Sequence, residues 1–241
     1  MPALRTLMLG AMAAVALATL VGCGSGSGAE RTGSPEAVPA PPPTATNTPT
    51  PEPTVSDPLE SVVALVARPT VLELRSADDA VVAEIDYLGA ATDAVATLTG
   101  LFGTDPVDEA YPATNHAPAG VLHSWGAVTI DERRYDEAMR AEKGLQGSLV
   151  WPNLAVYFDA ADNGGVALTT AQGYAAGDAW ETVAAASDVT ANPSECTGPA
   201  AELADDPVQP TQIAVVLAHE PGAGSVLSVA APVPFYTDGC V

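Results

Sequence analysis

Apolar residues follow three regimes along the chain. From Leu7 to Val21 (LMLGAMAAVALATLV) they run almost unbroken behind the positive charge of Arg5. That run has the length of a signal-peptide hydrophobic region. It falls short of the roughly 20 apolar residues that a membrane-spanning helix needs. Between 24 and 58 large apolar side chains nearly vanish, through GSGSG and then APPPTATNTPTPEPTVSDP. Such a segment cannot offset its ordering entropy by burial, so it is expected to stay unfolded. Its proline–threonine part favours extended polyproline II, and the whole could reach on the order of 100 Å. From 59 to 241 apolar positions alternate or recur at helical spacing. This part is long enough to bury a core.

Within 59–241 the alternation predicts strands at Thr70–Arg75 and Val81–Tyr87, and again at Leu154–Phe158 and Val166–Ala171. Asp162-Asn163-Gly164-Gly165 reads as the hairpin turn of the second pair. A helix is expected after each pair. In the first, Thr92 would cap and Asp93 would complement the dipole, with Val95, Leu98 and Phe102 near one face and Gly103 as the stop. In the second, Asp178 would open it and Trp180, Val183 and Ala184 would supply the buried face. Further strands are expected at Gly120–Ile130, Gln212–Ala218 and Ser225–Val233. Asp57-Pro58-Leu59-Glu60 looks like a helix start. Tyr135–Lys143 reads as a helix stopped by Gly144.

An ungapped offset of 85 residues lays Ala90–Leu98 over Ala175–Val183, with five of nine positions identical. The expected fold is therefore α+β. Two similar ββα-containing halves (59–145 and 146–241) would form mostly antiparallel sheet with helices on one side.

Charge narrows the function classes. The chain carries 30 acidic against 8 basic residues, a formal net charge of −22. It offers no basic face to neutralise phosphates, so nucleic acid is not an expected partner. Arg133, Arg134, Arg140 and Lys143 are interleaved with acids, as on a charge-laced exposed helix. Three cysteines and three histidines do not suffice for a large metal cluster, and no metal or other cofactor is expected. The motifs G-x-S-x-G, S-x-x-K and H-E-x-x-H are absent from the domain. Asp78-Asp79 reads as turn chemistry. Asp159, Asp162 and Asn163 read as a hairpin turn in preference to a calcium loop, which would need a distal glutamate.

One segment gathers side chains suited to binding. Tyr111, Asn115, His116, His123 and Trp125 lie on a proline-punctuated stretch that feeds a strand, a setting that often carries recognition residues.

The apolar run ends in Leu20-Val21-Gly22-Cys23, which resembles the lipobox of bacterial lipoproteins. The resemblance implies cleavage after residue 22, a diacylglyceryl thioether on Cys23, and display on the extracytoplasmic face of a cell membrane. Residues 1–22 are then a signal peptide, 23–58 a lipidated tether and 59–241 the displayed domain. With Cys23 carrying lipid, Cys196 and Cys240 remain as an even pair in an exported domain, where a disulfide is expected. It would contribute on the order of 4 kcal/mol in the chain-entropy account.

Ala94 to Pro106 (AVATLTGLFGTDP), followed by a strand bearing Trp125, resembles the tandem modules of β-lactamase-inhibitory proteins and related small outer-membrane-assembly lipoproteins. That resemblance implies a protein-binding module without catalysis. The expectation is thus a lipid-anchored, non-enzymatic envelope protein that binds another protein or a wall glycan. The alternatives are an envelope hydrolase using acidic residues and a structural or cation-binding surface protein.

Overall fold

Asp57 caps only a single turn. Its carboxylate accepts from the Leu59 N–H at 2.9 Å, and one 3-10 turn, Pro58–Ser61, follows. The run of Val62, Val63 and Val66 is β-branched and alternating, so the chain becomes strand instead of helix. The computed structural model describes residues 57–114, 118–135, 152–194, 197–206 and 212–236. Lys143, Gly144 and most of the helix expected from Tyr135 onward lie outside them.

Twelve strands form two sheets among these residues. They are β1 (Val62–Ala67), β2 (Val71–Ser76), β3 (Val81–Asp86), β4 (Val107–Tyr111), β5 (Ala119–Trp125) and β6 (Val128–Arg134). Then come β7 (Leu154–Phe158), β8 (Asp162–Asn163), β9 (Val166–Thr170), β10 (Ala200–Asp205), β11 (Gln212–Ala218) and β12 (Ser228–Phe235). Helix α1 (Ala91–Phe102) follows β3 and the short α2 (Trp180–Ala184) follows β9. The first sheet has the order β3-β2-β1-β9-β8 and the second β10-β11-β12-β7-β6-β5-β4. Every pairing is antiparallel except β1 with β9.

One hydrophobic cluster fills the space between the sheets. Leu65, Leu72 and Leu74 enter it from the first sheet, and Ile130, Phe158 and Leu217 from the second. Helix α1 closes one side with Ala94 and Leu98, both buried. It stops at Gly103, whose φ of +68° suits glycine and lets its N–H reach the Thr99 carbonyl at 2.8 Å. The expected cap at Thr92 is not used. Ala90 occupies the N-cap position without a side-chain bond.

The architecture is mostly β, and this corrects the α+β expectation. Two causes can be named. Gly120–Ile130 is not one strand but the hairpin of β5 and β6, turned at Gly126, whose φ is +66°. The strands β4 (VDEAY) and β10 (AAELAD) carry too little apolar alternation to be noticed, and each is an edge strand with one side unpaired. Arg133 and Arg134 stand in β6, not on a charged helix.

The two-similar-halves expectation also falls. At the 85-residue offset β2 matches β7 and β3 matches β9. Yet β2 and β3 are hydrogen-bonded neighbours, whereas β7 lies between β6 and β12 in the other sheet from β9. The hairpin turn at Gly164-Gly165 is real, but it joins β9 to the two-residue β8. Shared alanines in helix-forming strings produced the match without a shared structure.

Where β1 turns into β2, Arg68 ties the two sheets. Its Nε and Nη2 donate to both carboxylate oxygens of Glu202 on β10 at 2.8 Å each. Its Nη1 donates to Glu73 on β2 at 2.9 Å. Glu73 is 7% exposed and also receives Arg75, which extends the chain to Asp79. Removing Arg68 strands Glu202 and takes one of two arginines from the buried Glu73, while Asp79 is open to water. Arg68→Met should therefore lower stability by about 1–3 kcal/mol, and Asp79→Asn should leave it unchanged, as read from urea midpoints.

Candidate functional site

The register of the second sheet decides what the sequence candidates can do. Tyr111 opposes Gly120, which opposes Arg133, all on the outer face. The Tyr111 hydroxyl crosses Gly120 and donates to Asp131 Oδ1 at 2.5 Å. A Cβ on Gly120 would overlap both that hydroxyl and the Glu132 carbonyl oxygen. Arg133 braces Asp131 from the other side at 3.2 Å.

His123 and Trp125 point to the opposite, inner face. Trp125 is 4% exposed, packs beside Phe102 and donates its indole N–H to the Thr104 carbonyl at 3.0 Å. His123 is buried, with Nδ1 at 2.8 Å from Asp108 on β4 and Nε2 at 3.3 Å from Glu132 on β6. Only the doubly protonated ring can donate to both carboxylates. Arg134, and with it His123, holds the Glu132 carboxyl below the usual range. The structure therefore separates Tyr111 from His123 and Trp125 and gives all three partners inside the fold. Asn115 and His116 lie outside the described residues, as do Cys23, Cys196 and Cys240. Asn163 accepts from the Ala127 N–H at 3.2 Å, so that loop serves as a turn.

A different part of the chain forms an open cleft. After β9 the backbone runs beside the β11–β12 connection. Gly177 N–H donates to Val226 O at 2.8 Å, Val226 N–H to Asp178 O at 2.9 Å, and Trp180 N–H to Gly224 O at 3.0 Å. This stitching sets Trp180 against His219, the first residue past β11. Their rings stack with centroids 3.8 Å apart and planes 10° from parallel. His219 Nε2 donates to the Ala223 carbonyl at 2.8 Å, so in the neutral ring Nδ1 remains an acceptor.

The opposite wall is formed by Val189, Ala191, Asn192, Thr197, Gly198 and Pro199. A backbone bridge between Thr190 and Ala200 closes its ends, and Leu217 N–H holds Pro199 O at 3.0 Å. Inside it the buried Asn192 donates to Thr197 Oγ1 at 2.6 Å, which fixes the Thr197 hydroxyl at the cleft. The cleft volume is about 640 Å³.

No protein-family model, curated protein or solved structure matches the chain.

The site must therefore be judged on its chemistry. Among the described residues no group of three or more His, Cys, Asp or Glu side chains converges as metal ligands would. The cleft pairs an aromatic surface with neutral hydrogen-bonding groups, a combination suited to holding a ligand. The buried face expected of α2 holds for Val183, which is buried, and for Trp180, which packs half-buried against the core, but not for Ala184, which is exposed at the cleft. The available signal for the cleft was a tryptophan just after the glycine-punctuated stretch at Gly173 and Gly177, and a histidine just before Pro221-Gly222.

Tyrosines test the geometry of the outer face. Burial first, and then Asp131, push the Tyr111 hydroxyl well above its ordinary value. Tyr87, Tyr135 and Tyr236 are raised chiefly by burial, and Tyr174 by its bond to Asp188. A group raised on folding lends stability below its unfolded value, and that stability is lost as pH climbs past it. Tyrosinate absorbance at 295 nm should therefore lag the free phenol above about pH 10 and rise together with unfolding. Gly120→Ala should destabilise by more than Tyr111→Phe, because the added methyl meets backbone as well as the hydroxyl.

Proposed function

We propose that the chain is a lipid-anchored envelope protein whose displayed domain is a non-enzymatic binding module, working through the Trp180–His219 cleft on a component of the wall. The lipobox-like Leu20-Val21-Gly22-Cys23 supplies the anchor and residues 24–58 the spacer. Several acyl chains on Cys23 make a durable anchor, whereas one alone is marginal. The observation that carries the binding reading is the stacked Trp180–His219 pair facing a cleft of about 640 Å³. Such a volume lies within the range of small-molecule sites, roughly 300–1,000 Å³. Cys196 and Cys240 form a disulfide in this reading. Cys196 directly precedes Thr197 in sequence, so the bridge would brace the segment that carries the Thr197 hydroxyl.

Fractionation and wall capture test the reading together. Cys23→Ala should accumulate as unprocessed precursor that gains no lipid. Purified wall sacculi should retain the full wild-type chain and lose about tenfold of that affinity with Trp180→Ala. Normal lipid labelling of the Cys23→Ala chain, or equal retention of the two cleft forms, would overturn it. Intact mass should rise by two hydrogens on reduction, as one disulfide requires.

A further inference from the structure

We infer that the Trp180–His219 cleft takes an uncharged saccharide bearing hydroxyl and amide groups, with Trp180 as its packing surface. This deepens the wall-binding reading and rests on it.

The argument begins with charge. The chain carries 30 acidic residues. None of the described residues lining the cleft is Asp, Glu, Lys or Arg. With His219 in its neutral form, the described lining offers no cation to hold a carboxylate or phosphate against the field of an acidic protein. The described lining likewise offers no carboxylate to pair an ammonium or guanidinium group. Recognition is left to shape, apolar contact and neutral hydrogen bonds.

The neutral groups present are of both kinds. The Trp180 indole N–H makes no hydrogen bond among the described residues and is a donor. In the neutral ring His219 Nδ1 is an acceptor, because Nε2–H is committed to Ala223 O. The Thr197 hydroxyl is both, and Asn192 already donates to its oxygen. A ligand whose groups each donate and accept meets this set best, and hydroxyls and secondary amides do so.

Apolar contact completes the match. Ala184, Val189, Pro199 and Pro221 line the cleft beside the indole. They can cover the C–H faces of a sugar ring and the methyl of an acetamido group, while its hydroxyls turn to the three polar groups. The site is also set in advance. His219 is fixed by its stacking on Trp180 and by its hydrogen bond, and Thr197 by Asn192. Little freedom remains to be lost on binding.

Calorimetry on the full chain decides the matter with three trisaccharides: N,N′,N″-triacetylchitotriose, its deacetylated cationic form, and trigalacturonate. The acetylated sugar should bind, and both charged ones should bind at least about tenfold more weakly. Trp180→Ala should weaken the acetylated sugar about tenfold with an unchanged melting midpoint. Should that variant fail to fold, Ala184→Trp fills the cleft from an exposed helix position and should block binding instead. Equal binding of a charged trisaccharide, or unchanged binding in the cleft variants, would overturn the inference. Retention by sacculi without binding of any trisaccharide overturns the saccharide and leaves the wall-binding reading standing. Loss of both removes that reading as well.

Discussion

Arg68 carries the constraint on which the two-sheet arrangement turns. Each sheet offers the other an apolar face, and apolar contact alone fixes neither angle nor register, because burial has no direction. The guanidinium supplies direction. It is bidentate to Glu202 on an edge strand of one sheet and bonded to Glu73 on the second strand of the other. Glu73 in turn could not be 7% exposed without two arginines beside it. The net energy of such a network is modest, since desolvation opposes attraction. Its weight lies in which packing of the sheets it permits. With Arg68 held, Ala67 and Leu65 point inward, and β1 can accept β9 in parallel register on its free side.

That parallel pair has consequences for the cleft. The chain reaches β9 through the β8 hairpin and must leave at the far end, where Thr170 lies beside Ala67. The segment after it runs to the β11–β12 connection, and there Trp180 meets His219. The cleft is thus assembled from two connections and a short helix, each tied to sheet edges by backbone hydrogen bonds. Rigid strands deliver the connections, and the connections carry the recognition chemistry.

Legibility in the sequence divides along physical lines. Strands rich in apolar and β-branched residues were readable, such as Val71–Ser76, Leu154–Phe158 and Gln212–Ala218, the last two covered on both faces. So was Gly103 as a helix stop. The edge strands β4 and β10 were not, because Asp, Glu and Ala dominate them and large apolar side chains do not alternate along them, so pairing makes them strands. The repeat failed for a related reason. Local strings of alanine and threonine report helix-forming composition, while the sheet to which a strand belongs is set by contacts across the whole chain. At the site, the Tyr111–Trp125 segment drew notice for its concentration of side chains. His123 shows what that signal misses: its two carboxylate partners stand on neighbouring strands and consume both ring nitrogens. Trp180 and His219 are 39 residues apart in sequence. Nothing local announces their contact.

The charge pattern then takes on a specific meaning. A chain at −22 repels anionic surfaces, and in the proposed anchored state the tether would set the domain away from the membrane. Near that membrane the abundant ligands are anionic headgroups and wall polymers. A cleft that relied on cations would compete for all of them. A cleft with no Asp, Glu, Lys or Arg among its described lining residues, cut into an acidic surface, excludes anions by field and admits neutral ligands by fit. Selectivity of this kind needs no strong attraction for the right ligand, only a penalty on the wrong ones. The carboxylates that make the chain look chemically anonymous are, on this argument, part of how the cleft discriminates.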